Sequence, residues 1–222
     1  MSDARHAILS RIREASLPGR ERDATARLRR HRRNLQPECA RSSDAELIDV
    51  FVRKAEAVQA SVVRVAGLED VPPEVSRYLR HRNLPAHIAV APHDDLESMD
   101  WAAMTITAER RKPLDSDHCG VNRAFCAVAE SGTLIMTSGP DSPSTMNFLP
   151  ETHIAVLKES DIVGAAEDVW DRLRASGRAS AGSLPRTVNM ITGVSRTGDI
   201  EQTIQTGVHG PRHLHIVLVK ET

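Results

Sequence analysis

"SSDAELIDVFVRKAEAVQASVVRVAGLEDVPPEVSRYLRHRNLPAHIAVAP" runs from Ser42 to Pro92 and decides the fold class. Ser43 and Glu46 have capping-box spacing. Leu47, Phe51, Ala55 and Val58 then form one apolar stripe, with Ile48 and Val52 beside it, which predicts an amphipathic helix. "SVVRVA" reads as a strand, being rich in β-branched residues. "PPEVSRYLRHRN" opens on prolines and ends on Asn83, which suits a second helix. "HIAVAP" is the next strand. The order helix, strand, helix, strand predicts an α/β protein with an open, mostly parallel sheet flanked by crossover helices.

Upstream lies a different kind of sequence. Residues 3–14 predict a short amphipathic helix with Ile8, Leu9 and Ile12 on one face, and "SLPGRERD" breaks it. A basic helix is expected over Asp23 to Arg33, followed by "LQPECARSS" as a linker. The organisation expected is an N-terminal helical arm over residues 1–40 and an α/β domain over residues 41–222. Residues 1–33 hold ten arginines against four acids. "RLRRHRR" reads as a solvated helical face, because no recognition motif accompanies it.

The net charge of −1 gives no long-range attraction to nucleic acid or an anionic membrane. Aromatics make up 3% of the chain, too few for base stacking to be expected. No nucleic-acid partner is therefore expected. No apolar run is long enough to span a membrane and no secretory h-region is evident, so a cytoplasmic location is expected. Three cysteines, Cys39, Cys119 and Cys126, with no CxxC, argue against a disulfide framework. They also argue against an iron–sulfur or structural zinc site built by this chain alone, and no cofactor is expected.

Downstream, Trp101 to Thr107 predicts a strand and "ERRKPLDSDHCG" a loop. Two apolar stretches meet at Glu130-Ser131-Gly132, and "PDSPSTMNFLPET" is a long turn-rich loop. "HIAVLK" is a strand and "SDIVGAAEDVWDRLRASG" a helix closed by Gly177. "TVNMIT" and "HLHIVLV" are the last strands, with a short helix expected between them over Asp199 to Thr206.

Chemistry concentrates in "ITGVSRTGDIEQTIQTGVHGPRHLHIVLV", Ile191 to Val219. A strand leading through a glycine-bearing loop into a helix N-terminus makes an anion site. Gly193 and Gly198 would let backbone approach a ligand, and Arg196 could pair with a carboxylate or phosphate. Against this stands a purely local reading. Ser195 or Thr197 caps the helix, Asp199 meets its dipole, and Arg196 pairs with an acid. The candidate ligand-binding set is Gly193, Ser195, Arg196, Thr197, Asp199 and His209. His209 has the intrinsic pKa of a general acid or base, or it bonds its own turn. His213 and His215 share a strand face, but a metal site needs a further ligand that the sequence does not identify, so no metal is expected. Glu130, in the most apolar region, is the candidate catalytic residue. The alternative is an acid bonded to backbone amides or an arginine. No nucleophile elbow, Walker loop or dinucleotide glycine fingerprint is present.

"CGVNRAFCAVAESGTLIMTSG", "NFLPETHIAVLKESDIV" and the Ile191–Val219 stretch together resemble the LUD-domain family, in its lactate-utilisation protein C (LutC/YkgG) branch. The ordered set AExGT, LP-x-x-H and G-x-SRT-x-DIE…G-x-HGP carries the likeness. Val194 and Gly198 stand where the family usually has proline and alanine. The resemblance implies a fold like that of the CoA-transferase and sugar-phosphate isomerase group. It further implies a component without a redox centre in an L-lactate utilisation system, which oxidises L-lactate to pyruvate together with iron–sulfur partner proteins. A small carboxylate or anionic ligand would bind near Arg196. The alternative is a stand-alone transferase or isomerase acting on a CoA ester or phosphorylated small molecule, with Glu130 as nucleophile or base.

Overall fold

The computed structural model describes residues 2–15, 20–177, 185–198 and 202–220. The chain divides into two compact units, Met1–Leu35 and Gln36–Thr222. The first contains α1 (Ser2–Ala15) and α2 (Arg20–Arg30). Ile8 and Ile12 are well exposed on α1, and the last turn of α2 carries Arg27, Arg29 and Arg30.

The second unit runs α3 (Asp44–Ala57), β1 (Ser61–Val65), α4 (Val71–His81), β2 (His87–Val90), α5 (Asp94–Glu97), β3 (Thr107–Arg110) and β4 (Cys119–Arg123). It continues β5 (Cys126–Val128), β6 (Thr133–Thr137), β7 (Thr152–Lys158), β8 (Ile162–Val163), α6 (Ala166–Ala175), β9 (Val188–Ile191), β10 (Arg196–Thr197), β11 (Gln205–Thr206) and β12 (His213–Val219). Six strands form one sheet in the order β1-β12-β7-β4-β2-β3, and every neighbouring pair in it is parallel. This is the α/β architecture that residues 42–92 predict.

Each face of that sheet has its own core. Cys119, Val121, Ile154, Val156, Val217 and Val219 face α4, where they meet Val71, Val75 and Leu79. The opposite face presents Ala155, Leu157, Leu214, Ile216 and Leu218 to Phe51 and Ala55 of α3 and to a second sheet. That second sheet has the order β8-β5-β6-β9 and packs α6 on its far side through Cys126, Val128, Ile135, Val169 and Leu173. Alternating side chains on each strand supply the two cores.

Several elements differ from the sequence reading. Trp101 to Ile106 is not a strand; β3 begins only at Thr107 and takes in Glu109-Arg110 from the expected loop. Ala102–Met104 is a 3₁₀ turn ending at Thr105, with φ +58°, and the buried Trp101 ring anchors it by donating from Nε1 to the Leu96 carbonyl at 3.2 Å. The loop expected through Cys119-Gly120 is the start of β4, a central strand. Its buried Asn122 and Arg123 disguise it, since polar residues rarely sit inside without partners. The helix expected from Ser160 begins only at Ala166. Ile162-Val163 pairs instead with β5, as two β-branched residues followed by Gly164 favour. No helix among the described residues is long and apolar enough to cross a membrane.

Candidate functional site

The two glycine-rich motifs fold against each other. Arg196–Thr197 pairs antiparallel with Gln205–Thr206, so the chain returns on itself as a hairpin. The Ser195 amide donates to the Pro211 carbonyl at 2.9 Å, and the Gly207 amide donates to the Ser195 carbonyl at 2.9 Å. The short helix expected over Asp199 to Thr206 is therefore absent from its described part. Thr203, Ile204 and Thr206 are β-branched, and a helix of so few residues is marginal without help. Asp199 and Glu201 lie outside the described residues. Gly207 is a positive-φ residue that leads from β11 toward "VHGP".

Gly193 is required by geometry. Its φ is +75°, and a Cβ there would lie 2.1 Å from the Val58 carbonyl oxygen at the end of α3. The loop can pass α3 only with no side chain at this point.

Gly193, Ser195, Arg196 and His209 come together around a cavity of about 250 Å³ at the amino-terminal edge of the six-stranded sheet. Phe148, Met190, Val194 and Leu214 supply apolar wall. Arg196 is exposed at the mouth, and among the described residues no carboxylate pairs with it. Thr197 follows on β10 and is not part of the lining. A second cavity of about 500 Å³, bordered by Asp117, Glu151 and Arg212, shares Phe148, His209 and Gly210 with the first. His209 thus stands on the ridge between them.

The sequence reading missed the group at the bottom of the smaller cavity. His153, second residue of β7, is aligned between Leu214 of β12 and Gly120 of β4. It is fully buried, and among the described residues neither ring nitrogen has a hydrogen-bond partner. Burial pushes its pKa down to about 4, so the ring is neutral at pH 7. Asn147 also lines the cavity, and its side-chain oxygen accepts from Asn122 at 3.2 Å. The signal available was the LP-x-x-H motif, whose histidine is His153, second residue of "THIAVLK"; the sequence reading gave it no place in a site.

Glu130 is not in this group. It lies in the turn between β5 and β6, and its Oε1 accepts from the Ala166 amide at 3.0 Å. Asp168 accepts from the Ala165 amide at 2.9 Å, so two carboxylates satisfy the first amides of α6. His215 also has structural partners: Nδ1 lies 2.8 Å from Ser61 Oγ, Nε2 lies 3.2 Å from Glu74 Oε1, and the ring stacks on Tyr78. Burial pushes its pKa down to about 4 despite Glu74. At the opposite edge of the sheet, buried Arg123 binds Asp95 and Asp161 and donates to the Ala124 carbonyl, joining β4 to α5 and to the segment before β8.

Solved structures share this architecture. A DUF162-family protein from Deinococcus radiodurans superposes with a TM-score of 0.58 over 80% of this chain and 99% of its own, at 21% identity. The LUD domain profile matches residues 48–219, which contain the whole cavity. The chain belongs to the LUD domain family. It is 30% identical to lactate utilization protein C of Exiguobacterium sp., over 98% of this chain and 96% of the relative. It is 26% identical to the protein of that name from Bacillus velezensis, over 90% of this chain and 80% of the relative. The Bacillus subtilis protein of the same name matches 51% of this chain and 47% of its own length at 33% identity.

Proposed function

We propose that this chain serves L-lactate utilisation as a component without a redox centre, binding a small carboxylate in the cavity below Arg196. In this reading it works with iron–sulfur partner proteins that oxidise L-lactate to pyruvate. One observation carries the proposal: a relative named lactate utilization protein C aligns over 98% of this chain and 96% of its own length. The cavity supports it. A guanidinium without a carboxylate partner among the described residues stands at the mouth of a space large enough for a three-carbon acid. Two of the three cysteines support the reading that this chain builds no iron–sulfur cluster of its own. Cys119 and Cys126 are buried in different core clusters, and burial pushes both thiols up to about 12. Thiolate is the form that binds iron.

The test is to recover the tagged protein from its native host grown on L-lactate and identify what accompanies it. Iron–sulfur proteins in the eluate, with lactate-dependent electron transfer in the mixture, are the expected result. Growth on L-lactate that is undisturbed by deletion of the gene contradicts the proposal.

A further inference from the structure

A buried imidazole with two unpartnered nitrogens is costly. More than nine in ten buried polar groups are paired, because an unpaired one gives up its hydrogen bonds to water without replacement. On the same sheet face, β7 continues with Ala155 and Leu157, and the aligned neighbour on β12 is Leu214. His153 is thus the polar member of a row whose neighbours are aliphatic. To the lining of the cavity that Arg196 also lines, His153 brings a polar ring whose nitrogens have no partner among the described residues.

We propose that His153 is the second polar contact of the bound ligand, and that the cavity selects a short carboxylate carrying a hydroxyl or keto oxygen over the same acid without one. This rests on the reading that a small carboxylate occupies the cavity. With its charge held at Arg196, the rest of the ligand meets Leu214, Val194 and Met190, which make no distinction among alkyl groups. An alkyl remainder leaves the imidazole unpaired, so the cost persists in the complex. A ligand oxygen removes it. Because burial keeps the ring neutral, it offers one N–H and one lone pair. A keto oxygen can accept from the N–H, and a hydroxyl can either accept or donate. Sites built to hydrogen-bond a ligand oxygen discriminate strongly against analogues that lack it.

The experiment compares L-lactate, pyruvate and propionate, which share a three-carbon skeleton, by calorimetric titration of the full chain. Wild-type protein should bind lactate or pyruvate at least about tenfold more tightly than propionate, a factor equal to one good hydrogen bond. In His153→Leu that preference should fall to about one, while propionate affinity changes by less than about threefold. A folding defect in the variant is bypassed by labelling the histidine rings of wild-type protein with nitrogen-15. The His153 ring resonances should move on addition of L-lactate and stay in place with propionate. A preference that survives in His153→Leu, or ring resonances unmoved by saturating lactate, overturns the assignment. If all three acids bind equally well, this inference fails while the small-carboxylate reading stands. If none binds wild-type protein, both fall together.

Discussion

The Glu130 carboxylate accepts a hydrogen bond from the Ala166 amide at 3.0 Å, at the first turn of α6. A carboxylate held there satisfies an otherwise orphaned amide and meets the positive end of the helix dipole. Glu130→Ala should therefore lower stability by about 1 kcal/mol, the usual cost of losing such a partner. Carboxylate binding should be unchanged. Chemical denaturation and ligand titration on the same variant check both halves. A stable variant that has lost binding would return Glu130 to the site.

Gly193 fails as alanine for two independent reasons. Its φ of +75° disfavours any side chain, and the new Cβ would meet the Val58 carbonyl at 2.1 Å. Gly193→Ala should cost at least about 2 kcal/mol and weaken ligand binding as the loop moves off α3. Gly198 has nothing within 4 Å of its Cβ position and a φ outside the left-handed region, so Gly198→Ala should be nearly neutral. Thermal melts of the pair make the comparison.

Arg196 stands exposed at the cavity mouth, so its removal should not disturb the fold. A hydrogen bond to a charged group contributes about 1.5–3 kcal/mol, so Arg196→Ala should weaken carboxylate binding by about ten- to a hundredfold. Arg196→Lys should recover only part of this, because an ammonium cannot reproduce the planar fork. Titration of both variants tests it.

Arg123 should behave in the opposite way. It is buried, and it joins Asp95 and Asp161 across three segments of chain. Arg123→Met leaves those carboxylates with Lys158 and Arg172 alone. The expected loss is about 3 kcal/mol of stability, as when one partner of a buried ion pair is removed. Urea denaturation at neutral pH measures it.

His153 and His215 should set the acid limit of the fold. Each has an ordinary pKa of 6.5 that burial pushes down to about 4 in the folded protein. The unfolded chain then takes up protons first as pH falls. Stability from these rings is complete above the unfolded value of 6.5 and is lost progressively as pH falls from there toward 4. A shift of that size corresponds to about 3 kcal/mol per ring when fully developed. Denaturation midpoints at pH 7 and pH 5 should differ in that direction. The difference should shrink in His215→Leu.

The sequence was most legible where one physical signal decided the structure. The stripe through Leu47 and Phe51 and the β-branched runs of β1, β7 and β12 predict the parallel sheet, and they form it. β4 was hidden because Asn122 and Arg123 are buried through partners on α5, near β8 and in the loop after β6, which no local pattern reveals. The 199–206 segment misled because its acids and glycine suit a helix start, whereas the hairpin is fixed by bonds from Ser195 to Gly207 and Pro211. His153 was overlooked for a related reason. Its lack of a partner among the described residues is a property of three strands and a loop together, and the LP-x-x-H motif alone shows only a histidine.

The most direct measurement of the central claim is calorimetric titration of L-lactate into the purified chain and into Arg196→Ala. The expected result is a single saturable site in the wild-type protein, weakened by about tenfold or more in the variant. Absence of binding to the wild-type protein, or equal binding by both proteins, contradicts it.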